Sequence, residues 1–105
     1  MRIGNVWWDV RFVSPHDKRL MRSDGSYSVG VTDSVEQTIY ISDMLSGKFL
    51  EKVMRHEIVH AYIFSYGIYI PLEEEDRIAD FVASYGKDIM DITDSVISEI
   101  RRRYA

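Results

Sequence analysis

The sequence predicts an α+β fold, with a small, mostly antiparallel N-terminal sheet followed by three helices. Two observations predict it. β-branched and aromatic residues crowd into short runs before residue 43, bounded by turn residues. After that point the apolar period lengthens from two to between three and four. A chain of 105 residues fits a single domain, residues 1–105, with one modest core.

Residues 3–13, IGNVWWDVRFV, read as the first strand, ending at Ser14-Pro15. Asp24-Gly25-Ser26 marks a turn within the polar segment that follows. YSVGVTD and QTIYIS read as two short strands joined by Asp33-Ser34-Val35-Glu36. Ser42 or Asp43 can cap a helix running to about Tyr66, with Gly67 as its stop. Phe49, Val53, His56, His60 and Phe64 recur at spacings of three and four, which sets them on one helix face. Pro71 opens a second helix, Leu72 to Tyr85, that Gly86 ends or kinks. The third helix carries Ile89, Ile92, Val96 and Ile100 as its apolar stripe.

Composition narrows the function classes. Charged residues make up 29% of the chain and the net charge is −4, so nothing global favours nucleic acid or an anionic membrane. Arg101-Arg102-Arg103 is a local run that suits a solvated helix C-terminus. The absence of cysteine excludes disulfides, cysteine–zinc knuckles and cysteine nucleophiles. Trp7, Trp8 and Asp9 interrupt the apolar run a signal peptide needs, and no run is long enough to span a bilayer. A cytoplasmic location is expected.

The segment with chemistry is RHEIVHAY, residues 55–62. On a helix, His56 and His60 lie one above the other and can turn ring nitrogens toward a single ion. Glu57 is offset by about 100° round the helix, beside such an ion without ligating it. There it can act as general base toward an activated water. Two of the chain's three histidines are in this motif, and histidines on a buried stripe are costly without partners. The third, His16, falls in a polar loop, where a solvated side chain is expected.

A catalytic zinc site takes three protein ligands and an open position. The third ligand is sought in PLEEEDRIADFVASYG. Glu73 and Glu74 suit a helix N-terminus, where acidic side chains oppose the dipole. Glu75 projects within the apolar arc, near Ala79 and Val82. Asp76 lies on the flank with Leu72, Ala79 and Ala83, and stands four residues before Asp80. Asp76 could bind the ion while Asp80 receives the spare N–H of a ligating histidine. Glu75 and Asp76 both remain candidates.

His56-Glu57-Ile58-Val59-His60, followed by a carboxylate-bearing helix, resembles the gluzincin branch of the zincin metallopeptidases. It is most similar to small phage- or prophage-type HExxH proteins and the ImmA/IrrE-like group. The likeness spans about residues 28–86, and GVTDSVEQTIYIS is similar to the sheet segment preceding the motif helix in such proteins. It implies a minimal zincin-like domain holding Zn2+ through His56, His60 and a carboxylate in an E-x-x-x-D register. That register points to Asp76, with Asp80 after it. Aspartate stands where the family has glutamate, which keeps Glu75 open. The resemblance further implies peptide-bond hydrolysis with Glu57 as base, and a peptide or protein substrate such as a specific regulatory protein. Substrate would lie along an edge strand, for which TIYIS, residues 38–42, is the expected one. Tyr66, Tyr69 and Tyr85 are available as oxyanion stabilisers, but tyrosines in so small a domain are expected in the core. Two other readings compete: a non-catalytic module that keeps the fold with a structural metal or none, and a helical interaction domain without metal.

Overall fold

A computed structural model describes residues 1–104. The fold is α+β. Residues 3–13 do not form one strand. Gly4 adopts φ +59°, and the chain reverses there into a hairpin of β1 (Arg2–Ile3) and β2 (Val6–Trp7). A side chain at Gly4 would press on the Tyr66 ring, 3.3 Å from an ideal Cβ. After Trp8 the chain continues as β3 (Asp9–Val13). A 3-10 turn (Lys18–Leu20), β4 (Gly30–Asp33) and β5 (Thr38–Ser42) follow.

β3, β5 and β4 form a mixed sheet in that order. β4 pairs with β5 antiparallel, but the longest ladder, β3 with β5, is parallel. β5 is therefore the central strand, and every residue from Thr38 to Ser42 is buried. This corrects the expectation that TIYIS is an edge. Its unbroken apolar centre reflects cover on both faces of the sheet. The strand with a free edge beside the helices is β4.

Ile39 and Ile41 face α1 (Gly47–Ser65) and join Ile3, Trp8, Val53 and Ala61 in the main core. Tyr40 faces the opposite side, where the 3-10 turn supplies buried Leu20 and the Arg19 guanidinium lies 5.2 Å from the Tyr40 ring centre. Ser42 belongs to the sheet, so α1 begins later than expected, after Ser46. Its end is where the glycine placed it. Gly67 has φ +60°, its N–H bonds Phe64 O, and Ile68 N–H bonds Ile63 O, a left-handed closure of the last turn. The face of α1 turned to the sheet carries Val53, Glu57 and Ala61. Phe49 and Phe64 are exposed, and the two histidines sit on the flank of that face.

α2 (Leu72–Phe81) starts after Pro71 and packs against that flank. Gly86 does not stop the next helix. Val82–Gly86 form a π-helical turn that leads without a break into α3 (Lys87–Tyr104), so the expected second and third helices are one rod. Arg55 Nε donates to Ala83 O within the π turn, 3.2 Å away, tying α1 to the rod. Among the described residues no helix is long and apolar enough to cross a membrane.

Candidate metal centre

α1 presents His56 and His60 one turn apart, and α2 lies alongside with Glu75, Asp76 and Asp80. The ring Nε2 atoms of the two histidines are 3.1 Å apart. Asp76 Oδ1 is 3.1 Å from His60 Nε2 and 4.0 Å from His56 Nε2. One donor atom from each of His56, His60 and Asp76 lies within 4.8 Å of the others, so these three could hold a metal ion.

The far side of each ring is also engaged. His56 Nδ1 is 2.9 Å from Asp80 Oδ1, and His60 Nδ1 contacts Glu75 Oε2. Carboxylates are acceptors, so these contacts fix the proton of each neutral imidazole on Nδ1. Both Nε2 lone pairs then face each other and the Asp76 carboxylate. Three electron-rich atoms converging in this way suit a cation among them, a metal ion or a proton shared between the rings. The donor set thus fits a metal ion on chemical grounds, with imidazole and carboxylate as its ligands.

The two third-ligand candidates occupy different places. Adjacent helical residues point about 100° apart, and here that separates the two ring nitrogens they serve. Asp76 approaches the Nε2 side of the histidines, whereas Glu75 contacts His60 on its Nδ1 side. Glu75 therefore orients His60 as Asp80 orients His56, and is not placed among the converging donors. His16 lies elsewhere, exposed and edge-on to Tyr27 with ring centres 5.3 Å apart.

Removing such an orienting carboxylate typically weakens metal binding by roughly 10- to 100-fold. Asp80→Ala is expected to fall near the lower figure, because Asp80 is exposed and water can replace it. A competition titration against a chromogenic chelator checks this. Unchanged affinity would mean that the 2.9 Å contact does not orient His56.

Glu57 is buried on the sheet-facing side of α1, at 7% exposure. Its Oε2 is 4.0 Å from His56 Nε2. Thr32 Oγ1, on β4, lies 2.9 Å from Glu57 Oε1 and 3.0 Å from Glu57 O, so its one proton is shared between the carboxylate and the helix carbonyl. Gly30, two residues earlier on the same strand, makes room for it. An added Cβ there would come within 3.0 Å of Glu57 Cγ and of Val53 Cγ1. Neither residue was singled out from sequence. A glycine inside a strand is a recognised sign of close approach by another group, but nothing local marks Thr32.

The site opens into two clefts. One, of about 580 Å3, is bounded by His60, Glu57 and Asp76 and walled by Ile63, Phe64, Ile68 and Leu72. The other, of about 230 Å3, lies beyond His56 and includes Gly30, Phe49 and Lys52. Tyr66, Tyr69 and Tyr85 are exposed and not part of the core that sequence reasoning expected. Tyr69 lines the larger cleft. Tyr66 instead stacks beside Tyr62, and its hydrogen bond pushes the Tyr62 phenol above the ordinary tyrosine range.

No family model, no curated protein and no solved structure matches this chain.

Proposed function

We propose that this protein is a zinc-dependent peptidase of the gluzincin-like HExxH kind. One observation carries the reading: a buried carboxylate, Glu57, is fixed beside a three-donor group without belonging to it. A structural metal site has no need of such a neighbour. His56, His60 and Asp76 would hold the ion. Zinc bound there would supply a Lewis acid that makes water a competent nucleophile near neutral pH.

The chain's own residues supply the rest. Thr32 anchors Glu57 Oε1, which leaves Oε2 on the His56 side to take a proton from the attacking water and return it to the leaving amine. Asp80 and Glu75 keep the histidine rings from rotating. β4 supports the substrate. Ser42 N–H bonds Val29 O, and the alternation of an antiparallel ladder then turns the main-chain groups of Gly30 and Thr32 away from β5. An extended peptide can pair with that edge, where Gly30 O also accepts the Ser28 hydroxyl, and pass from one cleft to the other. The apolar wall of the larger cleft suits a bulky aliphatic or aromatic side chain, and a flexible segment of a regulatory protein would present one.

The test is cleavage of a quenched-fluorescence peptide library by zinc-loaded protein. Cleavage that a chelator abolishes and zinc restores is expected. Glu57→Gln should keep its zinc and lose about 10²- to 10⁴-fold in rate, the usual contribution of a positioned general base. Stoichiometric zinc without cleavage of any peptide would refute the peptidase and leave a metal-bearing binding module.

A further inference from the structure

α3 is an amphipathic helix whose apolar side is left open among the described residues. None of its residues is buried. Ile89, Ile92, Val96 and Ile100 are each about half exposed, Val96 at 51%. Their spacings of three, four and four keep them on one nearly straight line along the helix. A continuous apolar stripe left open to solvent along a helix marks a contact surface.

The charges indicate what covers the stripe. Asp88, Asp91 and Asp94 lie in the first half of α3, and Arg101, Arg102 and Arg103 close it. Lys87 and Glu99 run against this division and pair within the helix with Asp91 and Arg103, yet the acidic half keeps a net negative charge and the basic half a net positive one. Asp91, Asp94, Arg101 and Arg102 lie on the far side of the helix, but Asp88 and Arg103 border the stripe, and a second α3 laid parallel would set Arg103 beside Arg103 and Asp88 beside Asp88. Laid antiparallel, it sets each basic end beside an acidic one and opposes the two helix dipoles favourably.

We propose that α3 is a homodimerisation helix, pairing antiparallel with α3 of a second copy about a two-fold axis beside Val96. In this register Val96 meets its own equivalent, and Ile92 meets Ile100 of the second copy. Arg103, which also holds Glu99 of its own helix, falls opposite Ile89 and one residue from Asp88 of the second copy, twice by symmetry. The proposal does not depend on the peptidase reading.

The intact chain should sediment at twice its monomer mass. Val96→Glu should return it to the monomer with its far-UV spectrum unchanged, since Val96 contributes nothing to the core. Register is tested by disulfide trapping, which the absence of native cysteine makes clean. Val96→Cys should form a covalent dimer under mild oxidation. Ile89→Cys should not, because antiparallel pairing separates the two copies of residue 89 by about 20 Å along the axis, far beyond disulfide reach. Arg103→Glu and Asp88→Arg should each weaken self-association by roughly three- to tenfold, and mixing the two variants should restore it. A wild-type monomer, or trapping through residue 89 as readily as through residue 96, overturns the proposal.

Discussion

His60→Ala is expected to abolish metal binding while leaving the fold in place. His60 is the hub of the donor group. Both of the 3.1 Å approaches, to His56 Nε2 and to Asp76 Oδ1, run through its Nε2 atom. Without it, His56 and Asp76 remain 4.0 Å apart as two ligands with no third. Loss of a mere orienting partner costs roughly 10- to 100-fold in affinity, so loss of the central ligand should exceed about 100-fold. Elemental analysis of the untagged protein should find one zinc per wild-type chain and almost none in the variant. Linkage provides a second readout. A ligand present at about a thousandfold over its Kd adds about 4 kcal/mol to stability. Added zinc should therefore raise the thermal midpoint of the wild type and not that of His60→Ala. Stoichiometric zinc in the variant would end the metal-centre reading. So would a wild type that takes up no zinc on reconstitution, since His56 and His60 would then be two histidines on an amphipathic helix.

The parts of this site legible in sequence are those set by local geometry. Two histidines four residues apart on a helix must share a face, whatever the rest of the chain does. Asp76 and Asp80 share a face for the same reason, and that is how the pair reaches two successive turns of α1. Gly67 ends α1 because its left-handed conformation needs no distant partner. What sequence did not disclose depends on contacts between distant segments. Thr32 meets Glu57 across 25 residues, and no spacing rule links them. The strand order has the same character. TIYIS has the composition of any short strand, and only its pairing with both β3 and β4 makes it central instead of an edge. Gly86 illustrates a different limit. Glycine permits a helix to end but does not compel it, and here the chain absorbs the residue in a π turn and continues. The apolar stripe of α3 was legible in its period, but period alone does not say whether a stripe meets the chain's own core or another molecule.

The largest effect on stability is expected far from the histidines, at Trp8. Among the described residues, Trp8, Leu20, Ile39 and Ile41 are the largest fully buried side chains, so each carries a large share of a small core. Trp8 joins three elements. Its indole Nε1 donates to Ser65 Oγ at 2.8 Å, and Ser65 Oγ in turn donates to Ala61 O at 2.7 Å, at the C-terminal end of α1. Its ring meets Phe64 edge-on with centres 5.8 Å apart. Its main chain bonds Met1 on both sides, closing the β1–β2 hairpin onto the start of β3. Trp8→Ala empties the largest volume in this core and is expected to cost about 3–5 kcal/mol. A domain has only about 5–15 kcal/mol in all, so the variant should be largely unfolded at modest temperature. Trp8→Phe keeps most of the packing and loses one hydrogen bond, for which about 1 kcal/mol is expected. Ser65 retains Ala61 O as its acceptor, so that loss leaves no unpaired donor on α1. Chemical denaturation of the two variants measures the difference directly. Because Trp8 touches none of the donor residues, zinc should partly restore the alanine variant by binding its folded fraction. If Trp8→Ala unfolds no more easily than Trp8→Phe, the hairpin does not hold α1 against the sheet.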